Sequence, residues 1–471
     1  MKAITRESFR GKKIMVMGLG LFEGGVGVTR FLVDQGADVI VTDLKVSDEL
    51  GDSVEKLRGL PVAYHLGEHR DQDFSEVDAV IVNPAVPKDS PYLVLARENE
   101  VPLLSEMNIF FQLCPAPIIG VTGSNGKSTT TALVYEMVAR GERRTWLGGN
   151  IGQALLPESH KISPGDVVVL ELSSFQLEDL QQIKESPHVS LVTNVAPNHL
   201  DRHGTMEAYI AAKKGILIHQ GKRDFAVLNA DDAEVKTWAK DTRGQSLFFS
   251  REEEVDEGAF VHGDQLVLRV EKSEEVISLK KVQIPGRHNR QNIAAAAVAA
   301  RIAGIGANDI ESAASAFQGL EHRIELFEEI GGVKFYNDSI ATTPESAIAA
   351  MDSVAKPIVL IAGGYDKGTP FDAFARKIAG EADAVVLIGK TAPKIGKLVE
   401  KERKKAGRPE IFHEGTLEGA VRRALDAAAA GGSVLLSPGC ASYDMFRNFA
   451  DRGRQFKRLA RALKGEASSA E

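Results

Sequence analysis

The stretch Gly120-Val-Thr-Gly-Ser-Asn-Gly-Lys-Ser-Thr129 constrains this chain more than any other. It follows an apolar run, 116–121, and precedes a helical pattern, 130–140. A strand, a glycine-rich turn and a helix that opens on Lys and Ser make a phosphate cradle. Backbone N–H groups point at the anion, Lys127 neutralises it, and Ser128 is placed for Mg²⁺. Gly123, Ser124, Asn125, Gly126 and Thr129 complete the cradle. The spacing is not that of the common phosphate loop, which places a glycine where this chain has Val121; the glycines here are Gly120, Gly123 and Gly126. The expected ligand is ATP, and the bland alternative is a glycine turn that binds nothing.

The same rhythm of short apolar runs and helical patterns fills the chain. Early on, 13–17 ends in Gly18-Leu-Gly20, 38–42 ends at Asp43, and 78–82 ends at Asn83-Pro84, with a helix at 28–35. The segment 104–117 reads as a connection. Further on, 166–170 runs into Glu171, 189–192 ends near Asn194, and 224–228 follows. Between 252 and 280 charged and apolar residues alternate, which predicts a small antiparallel excursion, and 292–303 is an alanine-rich helix. The last third repeats the pattern at 334–336, 357–362, 384–388 and 433–436. Short buried strands separated by helices imply parallel sheets with ligands at the strand C-terminal ends. The expected class is α/β with three domains, each on a mainly parallel sheet. These are 1–112, Rossmann-like; 113–318, a phosphate-loop ATPase-like unit; and 319–471, Rossmann-like again. The tail from Gly465 is small and polar and is expected to be disordered.

With 471 residues, 43% of them hydrophobic, the chain has ample core. Its net charge of −8 argues against nucleic acid as a partner. Two cysteines, Cys114 and Cys440, fit a reducing compartment rather than a disulfide scaffold. Residues 1–9 lack the apolar core of a signal peptide, and no apolar run reaches the roughly eighteen residues of a membrane helix. The chain is expected to be soluble, cytoplasmic and monomeric.

Other constellations carry chemistry less specifically. The turn Gly18-Leu-Gly-Leu-Phe-Glu-Gly-Gly-Val-Gly27 has Glu23 where a dinucleotide fingerprint needs glycine, so a nucleotide-sugar diphosphate fits it as well as NAD. Glu171, at the end of a buried strand, suits Mg²⁺ beside the phosphate loop, or serves as a cap. Asn194-Val-Ala-Pro-Asn-His-Leu-Asp-Arg-His203 is too polar for a core, and His199 is a metal-ligand candidate weighed against a surface histidine. Lys213 and Lys214 follow on a helical pattern, 206–218. Asn289 reads as an N-cap before the alanine helix. His322-Arg323 and Asp338-Ser-Ile-Ala-Thr342 offer a nucleotide clamp or an ion pair.

Taken in order, these motifs, together with Glu171-Leu-Ser-Ser-Phe-Gln-Leu177, His288-Asn-Arg-Gln-Asn292 and Ser437-Pro-Gly-Cys-Ala-Ser-Tyr-Asp-Met-Phe446, resemble the Mur ligases of peptidoglycan synthesis over essentially the whole chain. Within that family the resemblance is to the branch that adds D-glutamate to UDP-N-acetylmuramoyl-L-alanine. It implies transfer of the ATP γ-phosphoryl to a carboxylate, then attack by an amine on the acyl phosphate. It implies Lys127 on the β- and γ-phosphates, Ser128 and Glu171 on one Mg²⁺, and His199 on a second. Lys213 would be carbamylated and support that second Mg²⁺. Asn292, Arg323 and Asp338 would contact the adenine nucleotide. Gly18, Leu19, Gly20, Leu21, Thr42, Asp43 and Asn83 would form the UDP site, with Asn150 and Ser173 near the sugar-peptide. Thr342, Lys367, Ser442 and Phe449 would bind the incoming glutamate, and the third domain would close for catalysis.

Some positions depart from the family pattern. Ile340 stands where a lysine is frequent, Asp43 where many members have arginine, and Ala85 where a glycine is expected; the first glycine turn carries extra residues, 22–25. An L-glutamate-adding ligase and a folylpolyglutamate-type amide ligase are therefore the neighbouring readings. A non-catalytic UDP-sugar sensor and an NAD-dependent dehydrogenase are the readings from other classes.

Overall fold

The computed structural model describes residues 4–20, 23–152, 154–284, 286–366, 369–403 and 408–468. They form two compact units, one of Met1–Val282 with His288–Phe317, the other of Gln283–Arg287 with Gln318–Glu471.

The first unit holds two sheets. One contains β1 (Lys13–Met17), β2 (Asp38–Asp43), β3 (Val62–Leu66), β4 (Ala79–Val82) and β5 (Leu103–Leu104), all parallel, in the order β3-β2-β1-β4-β5. The chain moves to one side of β1 and returns on the other, so the ends of β1 and β4 border a switch point where a ligand fits. The other sheet has nine strands: β6 (Ile118–Thr122), β7 (Thr145–Gly149), β8 (Val167–Glu171), β9 (Val189–Val192), β10 (Phe225–Asn229), β11 (Gln245–Ser250), β12 (Gly258–His262), β13 (Gln265–Val270) and β14 (Ser273–Ser278). Their order is β14-β13-β12-β11-β10-β9-β6-β8-β7. The phosphate-loop strand β6 thus lies between β8 and β9, and all three are fully buried. One apolar core runs through both sheets, from Val16 and Ile81 to Leu170 and Leu228.

The second unit is built on β15 (Glu325–Ile330), β16 (Val333–Asn337), β17 (Ile358–Ala362), β18 (Ala384–Leu387), β19 (Glu410–His413) and β20 (Ser433–Leu436), in the order β15-β16-β20-β17-β18-β19. All pairs are parallel except β15 with β16. Leu360, Val385 and Leu435 face one core, and Val359, Val386 and Val434 the other. Both faces are covered, which is why these strands read as unbroken apolar runs.

Three expectations need correction. The segment 104–117 is not a mere connection: it includes the end of β5 and a helix, Glu106–Leu113, begun by a reciprocal cap between Ser105 and Asn108. Asn289 is not an N-cap: the alanine-rich helix begins at Arg287, so Asn289 lies in its first turn. The antiparallel excursion is present as β12–β13–β14 and joins the central sheet through the parallel pair β11–β12. Of the tail, residues 465–468 continue the last helix, Phe449–Ser468, and 469–471 lie outside the described residues. No helix among the described residues is long and apolar enough to cross a membrane.

Candidate active site

β6 delivers the chain to the loop 123–126. Gly123 and Gly126 have φ of 150° and 79°, a region that favours glycine. A Cβ on Gly123 would stand 1.9 Å from Thr193 Oγ1, and one on Gly126 2.7 Å from Asn292 Oδ1. Close approach therefore demands both glycines, and the second contact brings Asn292 to the rim of the loop. The segment after β9 holds the loop's shape. Asn125 N donates to Asn194 Oδ1 (2.9 Å), Asn194 Nδ2 and Thr193 Oγ1 donate to Asn125 O (3.0 and 2.6 Å), and Ser124 N donates to Asn194 O (2.9 Å). The helix Lys127–Val138 follows, with Ser128 and Thr129 buried in its first turn. Lys127 folds back, its Nζ donating to Gly123 O (3.0 Å) and Ser124 O (3.1 Å).

β8 ends beside this loop in Glu171, which is 1% exposed. Its Oε1 accepts from Asn150 Nδ2 (2.9 Å), whereas Oε2 is buried with no hydrogen-bond partner. A buried carboxylate oxygen without a partner is costly, and a hard cation is the natural group to complete it. Ser128, buried at the loop's end, supplies a hydroxyl of the kind Mg²⁺ takes. The residues present fit a Mg²⁺ ion.

Lys213 lies on the helix Met206–Lys214, where Thr205 caps the N-terminus. Tyr209, four residues earlier, shares its face. The Tyr209 hydroxyl is 2.9 Å from Ser124 Oγ, and Lys213 Nζ sits 4.8 Å from the Tyr209 ring. The amine is 1% exposed and donates to Gly123 O (2.8 Å) and, at 3.4 Å, to Thr122 Oγ1. Burial, reinforced by the charge of Lys127, pushes it well below the usual lysine range, against the pull of Glu171.

His199 heads the short helix Leu200–His203 in a left-handed conformation (φ 53°), with its ring edge-on to Phe175 at 5.3 Å. His203 stacks on the same Phe175 at 5.0 Å and is held by Ser174 Oγ (2.9 Å) and Glu178 Oε1 (3.1 Å). Ser173 is accounted for by its capping box with Gln176.

In the first sheet, Gly18, Gly20, Thr42, Asp43 and Asn83 converge. Gly20 N donates to Asp43 Oδ2 (3.1 Å), Lys45 N to Asp43 Oδ1 (3.0 Å), Gly18 N to Thr42 O (2.8 Å), and Asn83 Nδ2 to Gly18 O (3.1 Å). Asp43 thus shapes the turn with both oxygens. Leu19, between the two glycines, is fully buried and packs into the core of this unit. Leu21 and Lys367 lie outside the described residues.

In the second unit Asp338 is buried and accepts from Ser437 Oγ (2.7 Å) and Ile324 N (3.2 Å). Burial pushes its carboxyl up to about 7, against the Ser437 hydrogen bond and the Arg323 charge. Arg323 Nε is buried without a hydrogen-bond partner. Thr342 and Ser442 lie on loops and Phe449 opens the last helix; these segments are tied together by a residue the sequence did not single out, the fully buried Arg452. It donates to Ser339 Oγ and O (2.9 and 2.8 Å) and to Cys440 O through two nitrogens (3.1 Å each), and reaches Ala441 O at 3.4 Å. Ser339 Oγ in turn donates to Phe449 O (2.7 Å). Glu321, His322 and Glu325 have the spacing of a metal cluster, but the Lys457 ammonium already binds both carboxylates (2.8 and 2.7 Å). Tyr209 and Asn194 also went unassigned; the four-residue step from Tyr209 to Lys213 was the available signal.

Fold and site together define a nucleotide-handling α/β protein with a buried acid and a buried lysine at its phosphate loop. Domain families match along its length: Mur ligase MurD-like, N-terminal domain at 12–105; Mur ligase middle domain at 121–300; and Mur ligase, glutamate ligase domain at 322–440. A relative from Roseiflexus sp. (strain RS-1), called UDP-N-acetylmuramoylalanine–D-glutamate ligase, is 45% identical over 466 residues, covering 96% of this chain and 99% of that protein. One of the same name from Acetivibrio thermocellus is 41% identical, covering 97% and 98%. The chain belongs to the Mur ligase family. Among solved structures, the UDP-N-acetylmuramate-alanine ligase MurC of Thermotoga maritima has a TM-score of 0.61 at 19% identity, covering 96% of this chain and 100% of that one. MurF of the same organism, in complex with ADP, has a TM-score of 0.57 at 17% identity, covering 98% and 97%. These two likenesses establish the shared fold.

Proposed function

We propose that this chain joins D-glutamate to UDP-N-acetylmuramoyl-L-alanine at the expense of ATP, a step in building peptidoglycan, in the cytoplasm and as a monomer. The observation that carries the reading is the incompletely partnered Glu171 beside the deprotonation-prone Lys213 at the phosphate loop. It is supported by relatives of that name along nearly the full chain.

In this reading the alanine carboxylate attacks the γ-phosphorus, the bond to ADP breaks, and an acyl phosphate forms. The glutamate amine then adds to the carbonyl, loses a proton, and phosphate leaves. The protein's part is positioning and charge compensation. Lys127 leaves Gly123 O and Ser124 O for the β- and γ-phosphates, and the loop N–H groups of 123–129 hold them. Ser128 and Glu171 would hold Mg²⁺, which spreads the phosphate charge when bound. A second Mg²⁺ at His199 is assigned from the family resemblance. The neutral Lys213 amine adds to CO₂ and releases a proton, giving a carbamate anion beside Lys127. Asn292, Arg323 and Asp338 are assigned to the nucleotide. Gly18, Leu19, Gly20, Leu21, Thr42, Asp43, Asn83, Asn150 and Ser173 are assigned to the UDP substrate, and Thr342, Lys367, Ser442 and Phe449 to glutamate. The domains are drawn at 1–112, 113–318 and 319–471.

The test is phosphate release with Mg·ATP and UDP-N-acetylmuramoyl-L-alanine, with D-glutamate, L-glutamate or neither. Release with D-glutamate alone is expected. Release with L-glutamate alone keeps the mechanism and overturns the specificity, and no release with either overturns the reading.

A further inference from the structure

Arg202 has no part in the chemistry above, yet it links two parts of the first unit. Its Nη1 donates to Ala85 O (3.0 Å), and its Nη2 reaches Val86 O (3.3 Å) and Pro84 O (3.4 Å). These are three successive carbonyls of the turn after β4, the turn whose Asn83 grips Gly18. The guanidinium carbon lies 4.9 Å over the Phe175 ring, which meets His203 by stacking and His199 edge-on. A planar fork of donors suits this double duty, whereas a lysine ammonium is a point charge. A second strut runs parallel: Lys88 pairs with Glu178, which holds His203. Behind the turn lies a cavity of about 60 Å³, whose walls include Asn83, Val86, Phe175 and Asp179. Phe175 and Asp179, from the helix Ser174–Ile183, wall this gap together with the turn, which leaves the turn room to shift. Ala85 needs no glycine conformation; its N donates to Asn83 Oδ1 (2.9 Å), so bonds and not backbone freedom set the turn.

We propose that Arg202 is a positioning residue that couples the UDP-substrate turn to the helix headed by His199, so that substrate in the turn and Mg·nucleotide at the phosphate loop strengthen each other's binding. The proposal rests on the ligase reading. Coupling of this kind is reciprocal and lies at about fivefold or more in affinity.

Calorimetry tests it without turnover. The affinity for UDP-N-acetylmuramoyl-L-alanine is measured with and without Mg²⁺ and a non-hydrolysable ATP analogue, and the ratio is compared across variants. The wild-type ratio is expected to be about fivefold or more. It should collapse towards one in R202A and in F175L, and fall partway in R202K, while affinity without nucleotide changes less than the ratio. Circular dichroism establishes folding, and R202K and F175L carry the test if R202A does not fold. An unchanged ratio in the folded variants overturns the proposal, as does a wild-type ratio of one. A wild-type protein that binds the analogue but not the UDP substrate overturns the ligase reading, and the proposal with it.

Discussion

Two buried basic side chains, one in each unit, are built on opposite plans. Arg452 is saturated: each guanidinium nitrogen that carries hydrogen finds an oxygen, and burial lowers its pKa only to about 10, so it stays charged. Lys213 is as deeply buried but has one good carbonyl and one long contact to a hydroxyl, with another ammonium nearby. Its neighbour Glu171 leaves an oxygen with no partner at all. Burial is common to both places. What separates the two is whether the fold completes their hydrogen bonds.

The contrast is sharpest at Lys213. K213A is expected to lower kcat by about 10³-fold or more while the protein stays folded; stripping CO₂ from the wild type should lower activity, and bicarbonate should restore it. Full activity in K213A would remove the reactive half of the comparison. R452A should instead destabilise the second unit by about 3–5 kcal/mol in urea denaturation, because it orphans buried carbonyls, and R452K should recover less than half. A stable R452A with no turnover would invert the comparison. Asp338 tests burial by itself. Its folded pKa of about 7 lies above the ordinary carboxylate value. The associated stability is therefore full below about pH 4 and lost as pH rises through about 7. D338N should gain on the wild type by about 4 kcal/mol between pH 4 and pH 8, read from thermal midpoints at each pH. The smallest effect concerns Glu171. Mg·ADP at a hundredfold its dissociation constant stabilises a folded protein by about 2.7 kcal/mol. E171Q should lose about half of that gain, and an undiminished gain would separate Glu171 from the metal.

The fold was legible where strands are covered on both faces. β1, β9 and β20 match their apolar runs end to end. The strands that escaped notice include β3, β7, β15 and β19, all at sheet edges and only partly buried, so their sequences lack a continuous apolar signal. At the site, the phosphate loop was legible because its chemistry is local to ten residues. Arg452 was not: in Asp451-Arg-Gly-Arg454 it looks like any surface arginine, and only the approach of two distant loops buries it. The loop after the edge strand β3 carries a further neighbour of Thr42, His69, whose Nδ1 lies 2.7 Å from Thr42 Oγ1. The cap explanation for Ser173 was equally invisible until its partner Gln176 was in place.

The alanine-rich helix Arg287–Ile302 bears on heredity more than on chemistry. Its nine consecutive buried positions, from Asn292 to Ala300, begin with the side chain that presses on Gly126. An added methyl group there has nowhere to go except against a neighbour, and overpacking of that kind costs about 1–3 kcal/mol. Such losses are tolerated when cool and ruinous when warm, so this helix is where single-nucleotide changes would give the gene its temperature-sensitive alleles.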